Sequence, residues 1–323
     1  MNKFTNDVLK TIDKFGMIPE GTTVVAAVSG GYDSLCMLYV LSELRALRKF
    51  SLCVAHLNHL LREDADGDEV FVTELCKKLE IASYTKKADI SALAAAKNIS
   101  VEAAGRAARY EFFDEIMDKI PNSVTATAHN ANDSAESFMM HLLRGGGCSS
   151  LTGIKAKRGR IIRPLIERTR QEIEQYCKDK GITPRVDYTN FDDSYTRNDI
   201  RHNVMPPIIS RGGVEAIART AGILAEEDEF LSDYAANLAK QYITENGGDI
   251  VIDAKVVSSL PTAIGRRLIR YALGERGRDI SLFHTESVLS LARNNYGGKY
   301  TVLPGGITAR LEKGKLIIKI SCV

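Results

Sequence analysis

The amino-terminal part of the sequence predicts an α/β fold with a parallel sheet. The run TTVVAAVS at residues 22–29 is β-branched and apolar, as in a buried strand, and SLCVAHLNH at 51–59 has the same character. Between them, residues 35–50 have the pattern of a helix. A strand, a helix and a second strand in this order form a β-α-β unit, and such units build parallel sheets.

Later segments continue this alternation along the chain. We expect further helices at 2–15, 63–79, 90–97, 101–120 and 131–143, and strands at 83–87 and 124–130. After Arg163-Pro164 the alternation stops. Helical patterns then follow at 169–180 and 214–243, with Pro206-Pro207 and Gly212-Gly213 between them.

The carboxyl-terminal stretch predicts a small α+β domain. DIVIDA and three later runs, KYTVL, GITARL and KLIIKI, have strand patterns and are separated by glycines, while 262–272 and 285–293 have helical patterns. The predicted organisation is therefore a catalytic domain at 1–210, a helical linker region at 211–244 and a small α+β domain at 245–323.

Composition predicts a soluble protein of the cytoplasm. With 323 residues and 44% hydrophobic content, the chain can bury a full core. The six cysteines show no C-x-x-C spacing, so we expect reduced packing residues. The first residues lack the apolar core of a signal peptide, and no apolar run reaches the roughly 20 residues that span a bilayer, so no membrane association is expected.

Basic residues are concentrated in one segment. The net charge of the chain is only +2, which does not by itself indicate a nucleic-acid partner. Between Lys155 and Arg170, however, seven basic residues accompany a single acid, Glu167. Such a local excess can hold the phosphates of a nucleic acid.

The first predicted strand runs into a loop suited to phosphate, which consists of Ser29, Gly30, Gly31, Tyr32, Asp33 and Ser34. Its two glycines let backbone amides approach an anion, and the following helix adds its positive dipole. The loop has neither the lysine of a P-loop nor the G-x-G-x-x-G of a dinucleotide site. A carboxylate beside phosphate needs a divalent cation between them, so Asp33 indicates Mg²⁺. The alternative is a Gly-Gly turn with an acid near the helix N-cap.

Two further runs carry candidate ligand-binding residues. The first, HLNHLLREDADGDEVFV, puts four polar residues at and after the end of the second strand, namely His56, Asn58, His59 and Arg62. This is the edge at which α/β sheets bind ligands, although each residue can instead hydrogen-bond a turn. In the second, VEAAGRAARYEFFDEI, Arg106 and Arg109 lie on one helical face beside Tyr110 and Phe113, where the alternative is a solvated basic stripe.

The run ATAHNANDSAESFMMHLLRGGG is the most informative. His129, Asp133 and Glu136 have the spacing i, i+4, i+7 and project from one face at the start of a helix. Two carboxylates attract a cationic amine such as lysine, and a histidine can orient a phosphate or accept a proton. The alternative is a helix start enriched in acids because of the helix dipole.

These motifs resemble a known family. The S-G-G-x-D-S loop after the first strand is the signature of PP-loop ATP pyrophosphatases, which have a doubly wound parallel sheet and cleave ATP to AMP and pyrophosphate. With the segment 187–207, the ordered motifs across residues 24–210 resemble tRNA(Ile)-lysidine synthetases. The resemblance implies ligation of L-lysine to C2 of the wobble cytidine of tRNA(Ile) with a CAU anticodon, through an adenylated cytidine, which changes codon specificity from AUG to AUA. It also allows a homodimer.

The resemblance and the residue patterns together assign the site. The catalytic residues are Asp33, Arg109, His129 and Asp133. ATP is bound by the loop 29–34 with His56 and Arg109, Mg²⁺ by Asp33, and lysine by His129, Asp133 and Glu136. The expected tRNA-binding residues are Arg106, Lys157, Arg158, Arg160, Arg163 and Arg201.

Two positions depart from the family pattern, and two other functions compete. Asn132-Asp133 stands where the family often has two aspartates, and Ser134 where it often has Gln, so Asp133 is the carboxylate expected to act. A tRNA thiolase shares the adenylation step but delivers sulfur through cysteines or an iron–sulfur cluster, and paired cysteines are missing. A module that binds ATP without turnover is the third hypothesis. A GMP or asparagine synthetase needs an amide-hydrolysing partner, for which the sequence shows no motif.

Overall fold

The protein consists of two compact units, Met1–Leu224 and Ala225–Val323. Its structure is a computed structural model that describes residues 1–61, 64–185, 195–274, 280–294 and 298–320. These two units do not test the predicted boundaries at 210 and 244. The division into a catalytic domain, a linker and a small domain therefore stays a prediction. None of the helices within the described ranges is long and apolar enough to cross a membrane.

The first unit is built on a six-stranded sheet. Its strands are β1 (Thr23–Ala27), β2 (Ser51–Asn58), β3 (Ala82–Lys87), β4 (Ser123–Ala126), β5 (Lys157–Arg158) and β6 (Ile161–Ile162). They lie in the order β3-β2-β1-β4-β6-β5, and all neighbours are parallel except β5 and β6. The predicted parallel sheet is confirmed. The sequence analysis did not predict the antiparallel ribbon of β5 and β6 at its edge.

Helices precede, connect and follow these strands. They are α1 (Lys3–Lys14), α2 (Tyr32–Leu47), α3 (Ala65–Lys78), α4 (Ile90–Lys97), α5 (Val101–Lys119), α6 (Ala131–Leu143), α7 (Arg170–Asp179), α8 (Tyr195–Asp199) and α9 (Met205–Ile209). A π-helical turn at Ile200–Val204 separates α8 from α9. The predicted limits of α4 and α6 are confirmed. The fourth strand is shorter than predicted, because the chain leaves the sheet after Ala126 to reach the N-cap of α6 at Asn130.

The sheet is covered on both faces. Val24 and Ala26 of β1 pack in one apolar cluster with most of α2, whereas Val25, between them, packs in a second cluster with Phe113 and Ile116 of α5. Because successive strand residues point to opposite faces, the two clusters lie on opposite sides of the sheet. This arrangement confirms the doubly wound α/β fold. The five cysteines in the described ranges are free.

The second unit is an α+β domain, as predicted. Helix α10 (Gly213–Tyr242) leads into it, followed by β7 (Ile243–Asn246), β8 (Asp249–Asp253), α11 (Ala254–Ser259), α12 (Thr262–Leu273), α13 (Leu282–Asn294), β9 (Tyr300–Leu303), β10 (Ile307–Glu312) and β11 (Lys315–Ile320). The sheet is antiparallel, in the order β7-β8-β11-β10-β9. Strand β7 was not predicted. Fully buried Ile252, Leu268, Val288 and Ile318 join strands and helices in one core.

Ser134, where the sequence departs from the family pattern, packs against the loop that contains Gly153 and Ile154. The Ser134 hydroxyl accepts a hydrogen bond from the Ile154 amide at 3.0 Å. The neighbouring Gly153 has φ +65°, and a Cβ there would collide with that hydroxyl. Gly159 has φ +56° but open space around it. A side chain at position 153 would therefore meet both an unfavourable backbone conformation and a steric collision. A side chain at position 159 would meet only the unfavourable backbone conformation.

We expect Gly153→Ala to lower the free energy of unfolding by about 1–3 kcal/mol more than Gly159→Ala, because only the first adds a collision. Urea unfolding of both variants measures the difference. Adding Ser134→Ala to Gly153→Ala should recover part of it, since the obstructing oxygen is gone. Equal destabilisation by the two glycine substitutions would contradict the packing described for this loop.

Candidate active site

A cavity of about 470 Å³ opens at the carboxyl ends of the central strands. Its walls come from the loop after β1, the end of β2, the helix α5 and the loop after β4. The chain moves outward from β1 to β2 and β3 on one side, and from β4 to β6 on the other. The strand order therefore reverses between the neighbouring strands β1 and β4. This switch point is where doubly wound folds bind their ligands.

The loop after β1 has the geometry of an anion cradle. Gly30 has φ +97°, a conformation that favours glycine. The Ser34 hydroxyl folds back inside the loop, where it accepts hydrogen bonds from the Ser29 and Gly30 amides, both at 3.2 Å, and donates one to the Gly31 carbonyl at 3.0 Å. Helix α2 then begins at Tyr32 without a side-chain cap, so its first amides and its dipole are directed at whatever the loop binds.

Asn130 connects this loop to the start of α6. Its side-chain amide donates a hydrogen bond to Asp33 at 2.9 Å. Its side-chain oxygen caps α6 by accepting from the Asp133 amide, and the Asp133 carboxylate accepts from the Asn130 amide in return, both at 3.0 Å. Burial raises the pKa of Asp33, against the opposing charge of Arg170 and the hydrogen bond from Asn130. The sequence analysis did not select Asn130, although the pattern N-x-x-D before an apolar run is the signature of such a capping box.

Glu136 is held by arginines. It is only 2% exposed. Arg201 binds it through two hydrogen bonds of 2.9 and 3.0 Å, and Arg197 adds a third at 3.3 Å. Bidentate contacts of this kind are among the strongest charge pairs in proteins. The charge of Glu136 is therefore balanced inside the protein.

Asp133 has a different environment. It lines the cavity, and its carboxylate lies 3.6 Å from Arg197, 3.7 Å from Arg201 and 4.0 Å from Arg170. These distances are longer than those of direct hydrogen bonds. Burial raises the pKa of Asp133, opposed by the hydrogen bond from the Asn130 amide. Of the two predicted lysine-binding carboxylates, Asp133 is the one that faces the cavity.

Arg197 was missed by the sequence analysis. It lines the cavity and pairs with both carboxylates of α6. The available signal was its spacing of four residues from Arg201, which places two guanidinium groups on neighbouring turns of one helical segment.

Two histidines and an arginine complete the cavity wall. The His129 ring lies 3.1 Å from the Thr127 hydroxyl, and burial, with the charges of nearby arginines, lowers its pKa to about 3. The ring nitrogen Nδ1 of His56 bonds the Val28 carbonyl oxygen at 2.8 Å, while its buried Nε2 has no partner within the described ranges. Burial lowers the pKa of Arg109, for which the described residues provide no ion pair.

The polar residues after β2 have mixed roles. The Asn58 side chain accepts a hydrogen bond from the Leu60 amide at 3.0 Å and donates one to Asp66 at 2.8 Å, which is the turn-forming alternative. His59 lines the cavity, and burial together with the Arg109 charge lowers its pKa to about 4. Arg62 lies outside the described residues.

The six predicted tRNA-binding residues fall into two groups. Lys157 donates to the Gly16 carbonyl at 2.6 Å, Arg160 donates to carbonyls around the carboxyl end of α5, and Arg201 is bound to Glu136. The other three, Arg106, Arg158 and Arg163, line a second cavity of about 340 Å³. The structure therefore brings only half of the predicted set together around open space.

The fold and the loop define a PP-loop domain. Residues 2–208 match the PP-loop domain family. Among solved structures, the U34-tRNA thiolase NcsA from Methanococcus maripaludis is similar with a TM-score of 0.57 and 16% identity, over 69% of this chain and 79% of that one. At this identity the likeness concerns the fold alone.

Curated relatives define the family more closely. The chain is 41% identical to the tRNA(Ile)-lysidine synthase of Caldanaerobacter subterraneus subsp. tengcongensis, over 97% of this chain and 68% of that protein. It is 38% identical to the corresponding enzyme of Clostridium acetobutylicum, over 98% and 71%. The chain therefore belongs to the tRNA(Ile)-lysidine synthase family, whose members are ATP-dependent ligases.

The depressed pKa of His129 gives a testable prediction. Since the pKa is about 3 in the folded protein and about 6.5 in the unfolded chain, the imidazole is neutral at pH 7. Its contribution to stability is present above pH 6.5 and is lost as the pH falls towards 3. In NMR titrations assigned with a His129→Asn variant, the ring should not titrate between pH 5 and 8. A midpoint near 6.5 would contradict the buried, arginine-flanked environment.

Proposed function

We propose that this protein ligates L-lysine to C2 of the wobble cytidine of tRNA(Ile) with a CAU anticodon, converting ATP to AMP and pyrophosphate. The observation that carries the proposal is one cavity that combines the loop 29–34, Arg109, a neutral His129 and Asp133. The product changes the codon specificity of the tRNA from AUG to AUA. The relatives described above are named tRNA(Ile)-lysidine synthases, which supports lysidine formation on tRNA(Ile).

ATP is the first substrate. Its phosphates lie against the loop 29–34 and the uncapped start of α2, and His56, with its free Nε2, faces the nucleotide. The described residues contain no cluster of three metal-ligating side chains. They fit Mg²⁺, which takes one or two carboxylates and completes its shell with phosphates and water, and Asp33 is that carboxylate. When bound there, Mg²⁺ neutralises the leaving pyrophosphate.

Adenylation of the RNA base is the first step. The O2 oxygen of the cytidine attacks the α-phosphorus of ATP, the bond to the β-phosphate oxygen breaks, and pyrophosphate leaves. Arg109 lies in the cavity without a carboxylate partner in the described structure, so its charge is available for the phosphates. Because the uncapped first amides of α2 are fixed before the reaction, they stabilise the developing charge without reorganising.

Lysine attack is the second step. The ε-amine, once deprotonated, attacks C2, and AMP leaves with the O2 oxygen as the bond between C2 and O2 breaks. Asp133 attracts the ammonium group and, since burial raises its pKa, can accept the proton, while the neutral His129 can orient a phosphate. Glu136 acts on lysine through the arginines that it holds, since its own charge is already paired.

The RNA substrate must present an unstacked base. Bases of a single-stranded anticodon loop can be splayed out and inserted into a pocket, which a base inside a duplex cannot. The predicted backbone contacts are the basic residues of the second cavity with Lys157, Arg160 and Arg201. We also propose that the protein forms a homodimer and acts in the cytoplasm.

Sulfur transfer is the competing chemistry. A thiolase brings sulfur to the adenylated base through cysteines or an iron–sulfur cluster. No cysteine is among the described residues that line the cavity, and burial raises the pKa of Cys53 and of Cys76 to about 11. Such thiols are poor nucleophiles at neutral pH. The site therefore favours an amine as the second substrate.

Incorporation of radiolabelled lysine into unmodified tRNA(Ile) tests the proposal. We expect labelling that requires ATP and a cytidine at the wobble position. Asp33→Asn should lower the rate by about 100-fold, because the carboxylate for the cation is lost. Asp118→Asn, which removes an exposed acid on α5, serves as the matched control and should leave the rate unchanged. AMP formation without any labelling would contradict lysine as the acceptor.

Substitutions of Asp133 and Glu136 should affect different properties, the KM for lysine in the first case and the free energy of unfolding in the second. Asp133→Asn keeps an oxygen that can cap α6 but removes the charge beside the ammonium, so the KM for lysine should rise by about 10- to 100-fold while pyrophosphate release persists. Glu136→Gln removes the buried charge with which two partly buried guanidinium groups pair, so the free energy of unfolding should fall by about 3 kcal/mol. Kinetics and urea unfolding of both variants provide the comparison. A larger rise in KM with Glu136→Gln, at unchanged stability, would reverse the assignment.

A further inference from the structure

A second cavity of about 340 Å³ adjoins the first. Its lining consists of three arginines, a tyrosine and an isoleucine, namely Arg106, Tyr110, Arg158, Ile161 and Arg163. Arg106 and Tyr110 also line the main cavity, so the two spaces share a wall. The residues come from α5 and from the β5–β6 ribbon, which lie at the same end of the sheet.

Arg163 places a buried and fixed positive charge in the wall of this cavity. It is only 5% exposed and follows directly after β6. Its backbone amide donates to the Ala156 carbonyl at 2.9 Å, and its guanidinium donates to the Lys155 carbonyl at 2.6 Å. The buried Nε has no hydrogen-bond partner in the described part of the protein. The Nε atom is itself shielded from the cavity, so Arg163 contributes its buried charge to the site, and the described lining residues include no carboxylate to balance that charge.

Arg106 is positioned by aromatic contacts. Its guanidinium lies 5.2 Å from the centre of the Tyr110 ring, one turn further along α5. Tyr110 in turn contacts Phe113 edge-on, with ring centres 5.9 Å apart. Stacking on an aromatic ring leaves the donors of the guanidinium free to bind in its plane.

The charges of the cavity are not balanced by its own lining. None of the five lining residues is a carboxylate. Burial lowers the pKa of Arg163, and the charges of Arg106 and Arg158 lower it further, against the influence of Tyr110. Arg106 and Arg158 are exposed and Arg163 is buried, so water screens only part of the repulsion between these like charges, and an anion among them would offset the rest.

We propose that this second cavity is a phosphate subsite that binds the RNA backbone phosphodiester next to the base held in the main cavity. The inference rests on the proposed function, since it takes the main cavity as the place of that base. A phosphodiester fits because guanidinium groups bind phosphate in their plane, and because Arg106 and Tyr110 line both cavities, so that the subsite adjoins the place proposed for the base. Arg158 is exposed, so the backbone can enter from solvent.

A chemical double-mutant cycle tests the subsite. Anticodon stem-loop RNAs, each with one neutral methylphosphonate in the loop, are titrated against the wild-type protein and Arg158→Gln at fixed salt. Wild type should lose about tenfold in affinity at one phosphate beside the wobble cytidine. Arg158→Gln should bind the unmodified RNA about tenfold more weakly and be insensitive to methylphosphonate at that same position. Lys119→Gln, which removes an exposed charge at the far end of α5, is the matched control and should behave as wild type.

Other outcomes would overturn the inference. Additive effects of Arg158→Gln and methylphosphonate at every position mean that no loop phosphate occupies the subsite. If inorganic phosphate or pyrophosphate competes with RNA in wild type but not in Arg158→Gln, and no position is coupled, the cavity holds a free anion. RNA that binds and accepts lysine without coupling overturns the subsite alone. Failure of wild type to bind the unmodified RNA overturns the proposed function as well.

Discussion

The hydrogen bond from the Asn130 side chain to Asp33 joins the two helix starts on which the site depends. One partner lies in the first turn of α2, beside the phosphate loop, and the other caps α6. The two residues are 97 positions apart in sequence, yet β1 and β4 are neighbours in the sheet and bring them together. This contact fixes Asp33, which we propose holds the cation, relative to the start of α6, where we propose that Asp133 attracts the amine.

Around this contact, the carboxylates differ in how they are paired. Arg197 and Arg201 neutralise Glu136 through direct hydrogen bonds. Asp33 and Asp133 have raised pKa values, because burial outweighs the more distant arginines, and Asp133 lines the cavity. A bound cation would stabilise the ionised form of such carboxylates. The same feature therefore suits Mg²⁺ at one residue and a lysine ammonium at the other.

Local patterns were sufficient to predict the elements and the loop, whereas pairings across the chain were not. The limits of α6 follow from a capping pattern within its own sequence, and the loop 29–34 follows from glycines after a β-branched run. The contact between Arg197 and Glu136 spans 61 residues, and Arg201, which contacts Glu136 across 65 residues, lies in a π-helical turn that no periodicity predicts. Likewise, basic residues look equivalent in sequence, but Arg160 satisfies backbone carbonyls while Arg163 faces a cavity.

We propose that the RNA base, and not lysine, receives the adenylate. Incubation of the protein with α-labelled ATP and unmodified tRNA(Ile), with lysine omitted, tests this most directly. We expect labelled AMP attached to the RNA, which is released when lysine is added. Label on lysine in the absence of RNA would contradict it, because the amine would then be the activated group and the cavity would have to bind the substrates in a different order.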